Sequence, residues 1–212
     1  MIEQAFLSFD TIIVFISQVA FISGQIFAIL NPLSVLPTFL SLTDDMVPEE
    51  RHSIVLNSTI AVLIIAISLA VAGNYILGFF NINLASLRVG GGILLMVIAI
   101  EMLGGLPRTK SLESHNEVAI VPIATPLLVG PGTMTTIIVL SATYSVITLI
   151  VSIFFVVLIT YLLLRYSELL SKFIGRNGIR ALGRFMTIII AAFAAQLLYA
   201  GISEWLISWG II

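Results

Sequence analysis

The chain has 212 residues, of which 59% are hydrophobic and only 9% charged, with a formal net charge of −2. Soluble domains carry about a quarter charged residues, so this composition, with a mean hydropathy of +1.18, excludes an ordinary water-soluble domain and defines an integral membrane protein. The absence of cysteine excludes disulfides, thiolate catalysis and thiolate metal sites.

The first ten residues contain Glu3 and Asp10 but no Lys or Arg. A cleavable signal peptide opens with a basic stretch, so the apolar run after Asp10 reads as a retained membrane segment. A bilayer-spanning helix needs about 20 apolar residues. In chain order, six candidates are expected: about Thr11–Leu42, Ser53–Ala72, Leu84–Leu103, Val118–Ser141, Val146–Leu164 and Phe185–Ile207. The longest polar connections are Thr43–His52, Pro107–Glu117 and Arg165–Arg184, which leaves no room for a soluble domain in residues 1–212. As one helix Thr11–Leu42 would measure ~48 Å, longer than the ~30 Å hydrocarbon core. It must tilt, project beyond the membrane or fold back.

Six crossings place Arg51, Arg108, Lys110, Arg165, Lys172, Arg176, Arg180 and Arg184 in loops on one side, and at most Arg88 on the other. The positive-inside rule then makes the first side cytoplasmic and both termini external.

The first and fourth segments carry matching interruptions. Asn31-Pro32 is followed by Pro37, and 94 positions later Thr125-Pro126 is followed by Pro131. The third and sixth segments correspond more loosely, through Arg88 with Arg184 and, after a one-residue slip, Glu101 with Gln196. A three-helix unit crosses an odd number of times, so its second copy is inverted, a common transporter plan. The expected architecture is therefore an all-α polytopic membrane protein of six helices in two inverted three-helix repeats. Repeat one covers about 11–105, repeat two about 118–207, with a cytoplasmic linker at about 106–117.

Asn and Thr are helix N-caps and proline is favoured at the first helical position. In a helix interior proline costs ~3 kcal/mol. Each motif therefore predicts a helix that stops and restarts at its polar residue. A helix start within the bilayer leaves backbone N–H groups to be satisfied by protein, water or ligand, and its dipole attracts an anionic group such as a carboxylate. Gly130 and Gly132 around Pro131 let a backbone or ligand approach closely. The candidate binding residues are Asn31, Pro32, Ser34, Pro37, Thr125, Pro126, Gly130, Pro131, Gly132 and Gln196. The competing reading is ordinary proline kinking, and for Gln196 a helix–helix hydrogen bond.

Glu101 is the most isolated acid of the apolar runs, a candidate for proton coupling or for holding an ammonium group. Alternatively it reaches water at its helix end. Gly90-Gly91-Gly92 reads as a helix-packing surface, and Arg176, Arg180 and Arg184 as topology or anionic-lipid contacts rather than a nucleic-acid patch. His52 and His115 have no metal-ligand spacing. No zincin pair, nucleophile elbow or phosphate-binding loop is present, so no enzyme, metal or cofactor is expected.

At "NPLSVLPTFL", "RVGGGILLMVIAIEML", "ATPLLVGPGTMTT" and "AAQLLYAGISEW" the sequence resembles the MarC family, also described as SnatA-like small neutral amino acid transporters. The resemblance implies a prokaryotic inner-membrane protein related to LysE-type exporters. It further implies transport of glycine, alanine or similar amino acids, with Asn31, Pro32, Thr125, Pro126, Gly130, Pro131 and Gly132 in the two motifs. The first motif has Leu36 where the second has Gly130, so the halves are not equivalent. A secondary transporter is thus expected; a channel or exporter for another small solute, and a non-transporting assembly protein, are the rivals. Substrate, direction, coupling ion and homo-oligomeric state are left open by the sequence.

Overall fold

The computed structural model describes residues 2–104 and 128–211. Among them are seven α-helices and no strand: α1 (Ile2–Leu30), α2 (Pro32–Leu42), α3 (Pro48–Phe79), α4 (Leu84–Leu103), α5 (Pro131–Thr143), α6 (Val146–Arg165) and α7 (Ser167–Ser208). Five contain stretches long and apolar enough to cross a membrane: Thr11–Leu30, Pro48–Phe79, Leu84–Leu103, Val146–Arg165 and Asn177–Ser208.

Local chemistry sets the helix ends. Pro48 opens α3, with Glu49 and Glu50 in the first turn where the helix dipole favours acids. Asn81 closes α3 in the left-handed region (φ 52°): its N–H donates to Gly78 O, and Ile82 N–H donates to Leu77 O. That is a Schellman stop, with asparagine in the place usually held by glycine. Asn83 then caps α4 by accepting the Ser86 N–H at 2.7 Å, and Ser145 caps α6 by accepting that of Thr148 at 3.1 Å.

The first apolar segment is split at Asn31, as its motif predicts. Two expectations are revised. The second segment is longer than Ser53–Ala72, because its polar first turns are helical too. The polar stretch Arg165–Arg184 is not a simple connection: it is helical from Ser167 and breaks at Gly175 (φ 77°, ψ 159°), a conformation open to glycine alone. Residues 118–127 of the fourth segment, and the linker at 106–117, lie outside the described residues.

α4 and α7 form the most extensive pairing, and α3 pairs with both α5 and α6. α1 lies along α6, where Ser23 Oγ donates to Ser152 O and Ser152 Oγ reaches Val19 O. α2 packs on α7 and α6, α5 on α3 and α4. Glycines set the closest approaches between α4 and α7. A Cβ on Gly92 would sit 2.9 Å from Ala194 O, and one on Gly201 would sit 2.7 Å from Ala85 O. Each helix thus uses a glycine to reach the other's backbone, the close-packing device of membrane helices.

Two ion pairs mark opposite ends of the molecule. Arg51 of α3 pairs with Glu168 of α7, and Arg88 of α4 pairs with Glu204 of α7 at 2.6 Å. The Arg51 end also holds the end of α2 and the α6–α7 junction.

Candidate functional site

The break between α1 and α2 is a single residue. Asn31 adopts the left-handed conformation (φ 47°, ψ 57°) and is fully buried. Asparagine is among the few residues that visit this region readily. Its backbone N–H donates to Phe27 O at 2.9 Å, ending α1, while its Oδ1 accepts the Ser34 N–H at 3.3 Å, starting α2. One residue thus closes one helix and caps the next. α2 does not fold back along α1; it packs on α7 and α6. Asn31 is therefore a kink in a continuing path, not the tip of a hairpin.

The second break lies at Val129–Gly130. Gly130 is extended (φ −82°, ψ 176°) and Pro131 opens α5. Thr133 Oγ1 donates back across the break to Leu128 O at 3.2 Å. This restart falls on the second proline of its motif, whereas α2 restarts on the first and carries Pro37 inside it. The helix start that is described falls five residues after the position of the expected restart at Thr125. Glycine on both sides of Pro131 disfavours a helix interior, whereas Leu36 before Pro37 favours one. Thr125 and Pro126 lie outside the described residues.

Residues at or beside both breaks pack with the middle and later turns of α4. A Cβ on Gly132 would meet Leu95 Cδ2 at 2.5 Å and Ile98 Cδ1 at 3.1 Å. Leu95 is about 17 Å along the ~30 Å length of α4. Ile29, two residues before Asn31, packs in one cluster with Leu95 and Ala99. Leu30 and Val35 of the first motif share a second cluster with Leu128 and Val129 of the other. Residues flanking the two breaks therefore share buried clusters beside α4.

Polar groups there are few and uncharged. Every buried polar residue among those described is Ser, Thr or Asn. Most of the buried hydroxyls are satisfied within their own helices; Thr136 Oγ1, for example, donates to Gly132 O at 2.9 Å. Two groups are not. Asn31 Nδ2 and Ser58 Oγ are buried without a hydrogen-bond partner. Leaving such a group unpaired costs about 1–3 kcal/mol. Ser58 lies on α3 between Val55 and Val62, which belong to the same cluster as Leu30 and Leu128. Sequence reasoning missed Ser58, although the Asn57-Ser58-Thr59 run inside an apolar helix was a signal for it.

The remaining candidates are dispersed. Pro32 is buried; Ser34 and Pro37 are half-buried, Ser34 against Gly183 of α7; Pro131 is exposed and Gly132 buried. Gln196 lies on the exposed face of α7, whereas Ala194 and Leu197 face inward. Glu101 is exposed in the last turn of α4, three residues before the Gly104 cap. No group of His, Asp or Glu suited to a metal ion occurs among the described residues.

Helices of membrane-spanning length, apolar outer faces and a nearly uncharged interior define a multi-pass integral membrane protein. Residues 14–206 match the profile of the MarC family integral membrane protein, and the chain belongs to that family. It is 38% identical over 190 residues to the UPF0056 membrane protein MJ1677 of Methanocaldococcus jannaschii, covering 84% of this chain and 93% of that one. It is 30% identical over 181 residues to a UPF0056 membrane protein of Pyrococcus abyssi, covering 84% and 90%. With the UPF0056 membrane protein YvbG of Bacillus subtilis it shares 31% over 191 residues, covering 84% and 90%. No solved structure matches the chain.

Proposed function

We propose that this chain is a secondary transporter of small neutral amino acids of the glycine or alanine type, working by alternating access. The observation that carries the reading is the buried, unpartnered amide of Asn31, at a helix start whose flanking residues share a buried cluster with Leu128 and Val129 beside the second helix start. Asn31 Nδ2 and the first free N–H groups of α5 are donors suited to a carboxylate, aided by the positive end of the helix dipole. Pro37 has no N–H, so Leu33 C=O lacks its helical donor and remains an acceptor for an ammonium group. Ser58 Oγ can serve either end. An uncharged site with both kinds of partner suits a zwitterion.

The packing supports two inverted halves. Exchanging α2 with α5, α3 with α6 and α4 with α7 turns the pairing of α2 on α7 into that of α5 on α4. It likewise turns α2 on α6 into α5 on α3, and leaves the α3–α6 and α4–α7 pairs unchanged. The end bearing Arg51, Arg165 and Lys172 would face the cytoplasm by the positive-inside rule, in a prokaryotic inner membrane.

The test is counterflow in vesicles reconstituted with the purified chain. Labelled glycine or alanine should accumulate transiently when the unlabelled amino acid is trapped inside. Absence of saturable binding or flux for any small amino acid would sink the proposal. Flux without counterflow would replace the carrier by a channel.

A further inference from the structure

We propose that the corner where α3, α6 and α7 meet binds the phosphate of an anionic membrane phospholipid, held by Arg51, Arg165 and Ser167. A cavity of about 230 Å³ opens there, lined by Arg51, Arg165, Tyr166, Ser167, Glu168 and Leu169 among others. On the far side of the Arg51–Glu168 pair is a second hollow of about 220 Å³, lined partly by Asp44 and Lys172.

Two polar groups lining the first cavity lack partners. Ser167 is 1% exposed, and its Oγ makes no hydrogen bond. Arg51 Nε is likewise buried without a partner, although its Nη2 donates to Thr43 O and its Nη1 meets Glu168. A guanidinium only donates, and a serine hydroxyl can donate, so what completes both is rich in acceptors. The charge has the same sense. Glu168 is engaged by Arg51, whereas Arg165 forms no ion pair among the described residues. Arg51, Arg165 and Glu168 sum to one positive charge, matching the single negative charge of a phosphodiester. Arginine is the side chain best shaped for phosphate.

The surroundings select an amphiphile. Arg165 is the last residue of the apolar span of α6, at the membrane boundary. Beside it the first turns of α7 present Tyr166, Leu169 and Phe173, which are 58%, 66% and 89% exposed. Such a surface is suited to acyl chains and offers nothing to free phosphate. The proposal is independent of the transport reading, because the corner contains none of the residues of the proposed substrate site.

The experiment uses the full chain purified in a neutral detergent. Thermal shift and native mass spectrometry would follow titration with short-chain phosphatidylglycerol, the matching phosphatidylcholine, or inorganic phosphate. Phosphatidylglycerol should bind and raise the unfolding temperature, and Arg165→Gln should weaken binding about tenfold or more. Ser167→Ala should weaken binding too, yet unfold no earlier than wild type without lipid, because it removes an unpaired buried hydroxyl. Equal stabilisation by phosphatidylcholine or inorganic phosphate would overturn the assignment. So would wild-type lipid affinity in both variants.

Discussion

Ser34 of α2 sits directly against Gly183 of α7: a Cβ on Gly183 would lie 2.8 Å from Ser34 Oγ and 3.4 Å from Ser34 Cα. α2 is three turns long and hangs from a one-residue kink, so this contact fixes where its first turn lies. Gly183→Val should push α2 off α7 and cost about 1–3 kcal/mol by overpacking. Thermal unfolding in detergent would measure this, and Gly183→Ala should cost less. A Gly183→Val protein as stable as wild type would show that α2 yields freely.

Asn31 combines a backbone role with a side-chain role, and the two can be separated. Asn31→Gly keeps the left-handed conformation and loses only a few tenths of a kcal/mol of capping. It should fold, yet bind glycine or alanine at least about tenfold more weakly, since a hydrogen bond to a charged group is lost. Asn31→Asp keeps the cap but sets an acceptor against the carboxylate, and should be worse. Binding isotherms of the two variants decide it; unchanged affinity in both would remove Asn31 from the site.

Ser58 is fully buried with its hydroxyl unpaired. Ser58→Ala should therefore leave the apo protein as stable as wild type or slightly more so. Substrate-induced stabilisation should shrink in the same variant. A large loss of apo stability would mean that the hydroxyl already has a structural partner.

Glu101 is exposed at the end of α4, apart from the buried clusters around Asn31. Glu101→Gln is therefore expected to leave the pH profile of flux unchanged. A flattened profile in vesicles would return the proton-coupling role that its isolation in the sequence suggested.

Arg88 and Glu204 join α4 to α7 with side chains 21% and 47% exposed. A pair this open should contribute only about 0–1 kcal/mol, and less at high salt. A double-mutant cycle with Arg88→Gln and Glu204→Gln reads the coupling. A larger, salt-insensitive value would mean that the pair is shielded in the assembled protein.

Much of this was legible in the sequence. Leu84–Leu103 was delimited as found, because Asn83 and Gly104 bracket an uninterrupted apolar run. Asn31-Pro32 announced a restart through cap-and-proline chemistry, a local rule. What escaped depended on distant residues. Nothing local reveals that Gly92 and Gly201 each meet the other helix's backbone, or that Ser58 points into the same cluster as Leu30. Arg165–Arg184 read as a loop because its charges dilute the apolar signal, yet charged residues such as Lys and Arg form helices well. The start of α5 at Pro131 was hidden because the repeat invited equal treatment of both motifs, although the glycines on either side set Pro131 apart from Pro37.

The α4–α7 pairing also sets an order of events during synthesis. α4 is complete at Leu103, but Ala194, Leu198 and Glu204, which receive Gly92 and Arg88, are about a hundred residues away. At about 5–20 residues per second the ribosome needs roughly 5–20 s to deliver them. Through that interval α4 stands in the bilayer with its glycine face against lipid and Arg88 without its acid. A chain cut short after α6 would remain in that condition, a ready target for membrane proteolysis, so α7 is the helix that completes the packing of α4.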